Sequence, residues 1–273
     1  MSPFPSPSEN VAVTAIIVMM CVLGIISNSL AIISVQCKTV RQNPFCILCS
    51  SHASAGLGVL LVYLSWVAPS TLWQNETSYR IIGKIVGHLS TVFWYATVYS
   101  HMAISINRLI AITWPLKAGD ILTNQKSLCM VLFIWCISFC HTISNFWSSC
   151  YVYYSASSWE WKFASSNCGI AISYIARFNV LIVTITFLFD AVVIIKFKKM
   201  NKIMSSQSIG VLPLNSIQRR QRMEIRLYKQ ACIRLISAKL QTYFKFIILM
   251  FHFHRSTLWT MYGKFVTILC SCA

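Results

Sequence analysis

Apolar residues in this chain come in long blocks, and polar residues fall in short stretches between them. The block Val11 to Val35 carries no charge and exceeds the roughly 20 apolar residues that a membrane-crossing helix needs. Comparable blocks over residues 45–73, 81–107, 127–147 and 170–195 predict four more spans. A sixth is expected over 231–251, but Arg234, Lys239 and Lys245 interrupt it. A charge at the centre of a span costs roughly 2.5–3.5 kcal/mol on insertion scales. Residues 252–273, with Lys264 at their middle, read as a degenerate or truncated last span. The pattern predicts an all-α integral membrane bundle over 11–251, preceded by a short Ser- and Pro-rich external segment, 1–10. That segment has no basic residue, and the run behind it is too long for the apolar core of a signal peptide.

Polar and small residues inside these blocks predict where helices touch. Asn28 lies deep in the first span, and an amide in lipid is expected to hydrogen-bond to a neighbouring helix. In the second span Ser50, Ser51, Ala53, Ser54, Ala55, Gly56 and Gly58 form a small-residue face for close packing. Pro69 near its far end is expected to kink it.

Composition adds the environment and orientation. The chain is 56% hydrophobic and 11% charged, where a soluble chain of 273 residues would carry about a quarter charged residues. The net charge of +17 would suit nucleic acid if it lay on one face of a soluble fold. Instead the basic residues sit between apolar blocks, so no nucleic-acid partner is expected and the bilayer is. Lys38, Arg41, Arg108, Lys117, Lys126 and the basic residues of 196–230 fall on one side, against Arg80, Lys84 and Lys162 on the other. The positive-inside rule puts the first set in the cytoplasm and the N-terminus outside. The sequon Asn75-Glu76-Thr77 then falls outside, so Asn75 is a candidate glycosylation site.

Several residues are candidates for chemistry. The third block ends at Asn107-Arg108, where a guanidinium can snorkel outward or face an inner partner. Asp190, near the inner end of the fifth span, needs a cation or a proton. Lys196 and Arg108 both lie at a depth to serve, which makes Asp190 a possible Arg108 partner. Arg177, near the outer end of the same span, is a snorkelling arginine or an anion contact. Trp66, Phe93, Trp94, Tyr95 and Tyr174 are placed to line an outer ligand pocket with it, although aromatics in a bundle commonly serve packing alone. Most of the twelve cysteines lie singly inside spans, and no CxxC pair sits in a soluble loop. His52, His88, His101 and His141 are spread over three spans, without nearby carboxylates at metal-binding spacing, which favours ordinary buried or interface histidines. No catalytic arrangement, metal or cofactor is expected, and the chain does not read as an enzyme.

Asn107-Arg108-Leu109 followed by Trp114-Pro115-Leu116 resembles the signature at the inner end of the third helix of rhodopsin-like seven-helix receptors. The resemblance narrows to the nematode serpentine chemoreceptors of class x. It runs through His101 to Ile112, Trp114 to Lys117, Cys150 to Tyr154, Ser158 to Ala164 with Cys168, Phe187 to Asp190 with Lys196, and Arg222 to Ile225 with Gln230. Past about Ser237 the chain departs from the pattern, with no aromatic-Pro motif for a sixth helix and no Asn-Pro-x-x-Tyr for a seventh.

The resemblance implies a seven-helix G-protein-coupled receptor, with degenerate sixth and seventh helices, in the plasma membrane of sensory neurons. It would detect an external small molecule and activate a heterotrimeric G protein through Asn107 and Arg108. Receptors of the rhodopsin-like kind tie their second outer loop to a cysteine atop the third helix. Ile81 to Ser90 contains none, so Cys150 is expected to pair with Cys168. Two alternatives stand beside this reading: a truncated receptor product that does not signal, and a small transporter or channel. The latter predicts inverted repeats with paired Gly/Pro breaks, which the chain lacks.

Overall fold

The computed structural model describes residues 6–36, 44–74, 81–114, 117–147, 150–164 and 169–207. Contacts divide the chain into two units, Met1–Ser206 and Gln207–Ala273, and every described residue except Gln207 lies in the first. The expected spans over 231–251 and 252–273 lie outside the described residues, as do Asn75 and Cys168.

Five stretches among the described residues are long and apolar enough to cross a membrane: Pro7–Val35, Pro44–Trp73, Ile81–Thr113, Asn124–Ile143 and Arg177–Lys196. Helix α1 spans Pro7–Gln36 and begins before Val11 because Ser6 and Glu9 cap it. The Ser6 backbone N–H donates to Glu9 Oε2 at 2.8 Å, and the Glu9 N–H donates to Ser6 Oγ at 3.3 Å. This Ser-Pro-x-Glu box satisfies two end donors, with proline where its missing N–H costs nothing.

The second span is not one regular helix. Helix α2 (Pro44–Val62) passes into a π-helical segment, Tyr63–Val67, and then into α3 (Ala68–Trp73). The Ala68 N–H bonds to the Tyr63 carbonyl, five residues back. Proline at position 69 has no N–H to give to Ser65 and crowds that carbonyl. The expected kink takes the form of a widened turn just before it.

Helix α4 (Ile81–Thr113) crosses the middle of the unit, followed by the short α5 (Ala118–Ile121) and by α6 (Asn124–Trp147). Helix α7 spans Gly169–Gln207, well past Ile195. Lys196, Lys198, Lys199 and Lys202 therefore lie on a helix rather than in the loop expected from their charge. Lysine is a good helix former, and its stem can run along the helix toward water.

The main core gathers Leu48 of α2, Tyr95, Tyr99, Ala103 and Ile104 of α4, Ile134 of α6 and Ile182 of α7. Lipid tails are as apolar as these side chains, so such contacts stabilise through close packing and hydrogen bonds rather than removal from water. The small-residue face of α2 meets that need. A β-carbon on Gly58 would lie 2.5 Å from the Phe93 ring of α4, and buried Ser51 accepts the Trp135 indole N–H of α6 at 3.0 Å. Asn28 differs from expectation. Its Nδ2 donates to the Gly24 carbonyl at 2.8 Å within its own helix, while its amide packs against Gly56 of α2. An i−4 carbonyl lies within reach of a short amide at no cost to neighbouring helices.

One antiparallel hairpin interrupts the helical pattern between α6 and α7. Strands β1 (Val152–Ser155) and β2 (Glu160–Phe163) pair with Tyr154 opposite Trp161.

Candidate functional site

The described unit has two chemically distinct ends: the hairpin end, near Pro7, Trp73 and Ile81, and the arginine end, near Gln36, Pro44 and Thr113. At the arginine end α4 buries both Asn107 and Arg108, the latter 7% exposed. The guanidinium carbon of Arg108 sits 5.2 Å from the centroid of Phe45, in the first turn of α2. A cation over an aromatic face is attracted by the ring quadrupole, more strongly where water is excluded.

Asp190 of α7 is buried at the α4 face. Ser105 donates its hydroxyl to Asp190 Oδ1 at 2.6 Å, and His101 Nε2 lies 3.3 Å from Oδ2. The His101 ring in turn lies 5.8 Å from that of His52 on α2, whose Nδ1 is 3.2 Å from the Thr97 carbonyl. Lys196 donates to Thr113 Oγ1 at 2.9 Å. The Arg108 guanidinium lies over the Phe45 ring, and Lys196 reaches Thr113 at the end of α4. His101 is an interface histidine, and a carboxylate distant in the chain meets it across a helix contact. His101 and Ser105 stand four apart, so both project from one face of α4. That spacing was the available signal; the facing aspartate was not.

At the hairpin end the loop between α6 and α7 folds back onto the bundle. The Tyr154 hydroxyl lies 2.7 Å from Thr71 Oγ1, Trp161 donates to the Tyr63 hydroxyl at 3.2 Å, and Trp159 donates to Asn10 at 3.0 Å. Gln74 donates to the Ala156 carbonyl at 3.3 Å. Tyr154, Ala156 and Val67 form a second buried cluster, joined by Ile17, Tyr63, Trp66 and Trp161. Burial pushes the Tyr154 phenol well above its ordinary range, with the Thr71 contact pulling the other way. The β1 backbone rides directly on α4 at Gly87, where a side chain would meet the Val152 carbonyl. Lys84 lies 5.3 Å from the Tyr151 ring centroid, covered by the loop rather than extended to water. Cys150, at the start of the loop, is disulfide-bonded.

The six residues expected around an outer pocket have different surroundings. Trp66 joins the hairpin cluster, and Phe93 meets Trp135 edge-on at 6.0 Å. Trp94 packs on the main core. Tyr95 is fully buried, 4.2 Å from the His141 ring and stacked on Tyr99 at 5.8 Å. Arg177 is exposed, on a stripe of α7 with Val180, Leu181 and Thr184 that borders an open groove. The Tyr174 side chain lies outside the described residues. His141 was missed as a hub: its ring also stacks on Phe178 of α7 at 4.7 Å, joining α4, α6 and α7.

A bundle of membrane-length helices, with an arginine buried at one end of its central helix and a hairpin over the other, is the architecture of rhodopsin-like receptors. The crystal structure of squid rhodopsin superposes with a TM-score of 0.69 at 16% identity, covering 87% of this chain and 65% of that one. The sequence matches the family described as Serpentine type 7TM GPCR chemoreceptor Srx over residues 18–272, and the chain belongs to that family. The match runs past Ser237, where resemblance was expected to end, and takes in the charged segments near the C-terminus.

Among curated proteins the chain is similar to growth hormone secretagogue receptor type 1 of Mustela putorius furo, 32% identical over 144 residues, half of this chain and 37% of that protein. The Homo sapiens receptor of the same name is 31% identical over 144 residues, with the same coverage of each chain. Neuropeptide receptor 15 of Caenorhabditis elegans is 27% identical over 129 residues, 45% of this chain and 36% of that one. These alignments span little more than a third of the curated relatives' length. Family and fold are those of G-protein-coupled receptors, multi-pass membrane proteins that are not enzymes.

Proposed function

We propose that this protein is a chemosensory receptor of the plasma membrane of sensory neurons, which detects an external small molecule and activates a heterotrimeric G protein. The hairpin end faces outward and the arginine end faces the cytoplasm, as the basic-residue bias requires. Arg108 and its neighbour Asn107 form the coupling element. The observation that carries this reading is the burial of Arg108 at the far end of α4 from the hairpin. A charge held there in the resting bundle is available to a partner only after the helices repack, and a ligand that prefers the repacked state shifts that equilibrium. Asp190 favours the resting packing by tying α7 to α4 through Ser105 and His101, close to Arg108. On the outer side the ligand contacts fall among Trp66, Phe93, Trp94, Tyr95, Tyr174 and Arg177.

Surface expression in a heterologous cell with a G-protein readout across a chemical panel tests the proposal. Ligand-dependent activation should occur, and Arg108→Ala should abolish it at equal surface density. Normal signalling by Arg108→Ala removes the coupling role.

A further inference from the structure

From the arginine end we infer that Phe45 is a positioning residue, whose ring holds the Arg108 guanidinium inside the resting bundle. The inference rests on the coupling role proposed for Arg108 only for its functional consequence; the contact itself is tested separately below.

A buried arginine is held by the groups around its guanidinium, and here one of them is an aromatic face. The preceding residue, Asn107, is neutral. The nearest acid on α7, Asp190, is engaged by Ser105 and His101, three and seven residues before Arg108. At 1.5 Å per residue those two contacts sit roughly 4.5 and 10 Å further along the helix axis toward the hairpin end. At the level of Arg108 itself the residue beneath the guanidinium is Phe45, at 5.2 Å.

Phe45 is well placed to stay there. It follows Pro44 in the first turn of α2, and its ring packs against the main core. The ring is therefore anchored to the bundle on one side and presents a face to the cation on the other. A desolvated contact of this kind is a restraint that activation must break.

The decisive test alters the ring's electrostatics while nearly preserving its shape. Phe45 is replaced by mono-, di- and trifluorinated phenylalanines through nonsense suppression, and the receptor is reconstituted in lipid nanodiscs. Accessibility of Arg108 is read as its rate of modification by a phenylglyoxal reagent, mapped by mass spectrometry. Fluorine withdraws charge from the ring face, so the rate should climb stepwise along the series, approaching about tenfold at the trifluoro variant. Phe45→Leu should reach a similar rate, whereas Phe45→Trp should match or fall below wild type. A packing role alone would give a rise with leucine but no gradation with fluorine. A flat rate across the fluorinated series overturns the inference.

Basal signalling at matched surface density is measured on the same variants beside Arg108→Ala. Graded modification with a signalling Arg108→Ala upholds the Phe45 contact and removes the coupling role instead. Flat modification with a silent Arg108→Ala does the reverse.

Discussion

Gly87→Ala is the smallest change expected to unseat the hairpin. The added carbon would fall well inside the contact radius of the Val152 carbonyl, and both sides of that clash are backbone. Neither can rotate away as a side-chain tip would, so α4 or the hairpin must shift. Overpacking of a tight site costs about 1–3 kcal/mol. Displacing the hairpin also stretches the Tyr154–Thr71, Trp161–Tyr63 and Trp159–Asn10 hydrogen bonds, each worth about 0.5–1.5 kcal/mol when made. At 2–4 °C per kcal/mol for a domain of about this size, the melting temperature in detergent should fall by at least roughly 4 °C. Gly119→Ala is the matched control, because a β-carbon there meets nothing within 4 Å. It should leave the melt unchanged or raise it slightly, alanine being the better helix former. Limited trypsin digestion gives a second readout, since Lys162 lies on β2 and should be cut faster once the hairpin lifts. If Gly87→Ala melts and digests like Gly119→Ala, the direct seating of β1 on α4 is wrong.

Four further outcomes are expected. Tyr154→Phe should lower stability by about 0.5–1.5 kcal/mol, and a double-mutant cycle with Thr71→Val in detergent should show a coupling of about that size, since the two hydroxyls share one hydrogen bond while Thr71 also bonds the Val67 carbonyl. Asn75→Gln should abolish an endoglycosidase-sensitive gel shift, and persistence of the shift would place the glycan elsewhere. Non-reducing peptide mapping should join Cys150 to Cys168; closing a loop of about 19 residues contributes up to about 3 kcal/mol in the chain-entropy account. Asp190→Asn should raise basal signalling by weakening the ties to His101 and Ser105, and unchanged basal activity at equal surface density would show that this contact does not restrain the receptor.

The helical, membrane-crossing character was legible because each apolar block is longer than a span and carries few charges. The polar interior was less so. Asp190 was visible as an anomaly in an apolar run, but its partners depend on how α7 rotates against α4, which no periodicity within either helix specifies. His101 illustrates the limit: its neighbours in sequence carry no charge, and the carboxylate it meets is 89 residues away. Phe45 read as the first residue of an apolar block, and only the crossing of α2 with α4 gives its ring a cation. The capping box at Ser6 and Glu9 was local, and the motif could have been read directly. The aromatic residues grouped as a pocket were legible as a class but not by direction, because a tenth of a turn decides whether a ring faces a core, a neighbouring helix or a loop.

The widened turn at Tyr63–Val67 sets the phase of everything beyond it. A π-turn absorbs one extra residue, so the segment after it sits about 100° behind where an unbroken α-helix of the same sequence would place it. Thr71 and Gln74 owe their aim at the hairpin to that offset, while Ser51, His52 and Gly58 lie before it and owe nothing to it. The two halves of this span are thus free to diverge in which face they present. Substitutions within Tyr63–Val67 change contacts one at a time. Deletion of a single residue there should close the turn to a regular α-helix with both halves facing as they do now, whereas regularising the turn at full length would rotate the outer half away from the loop.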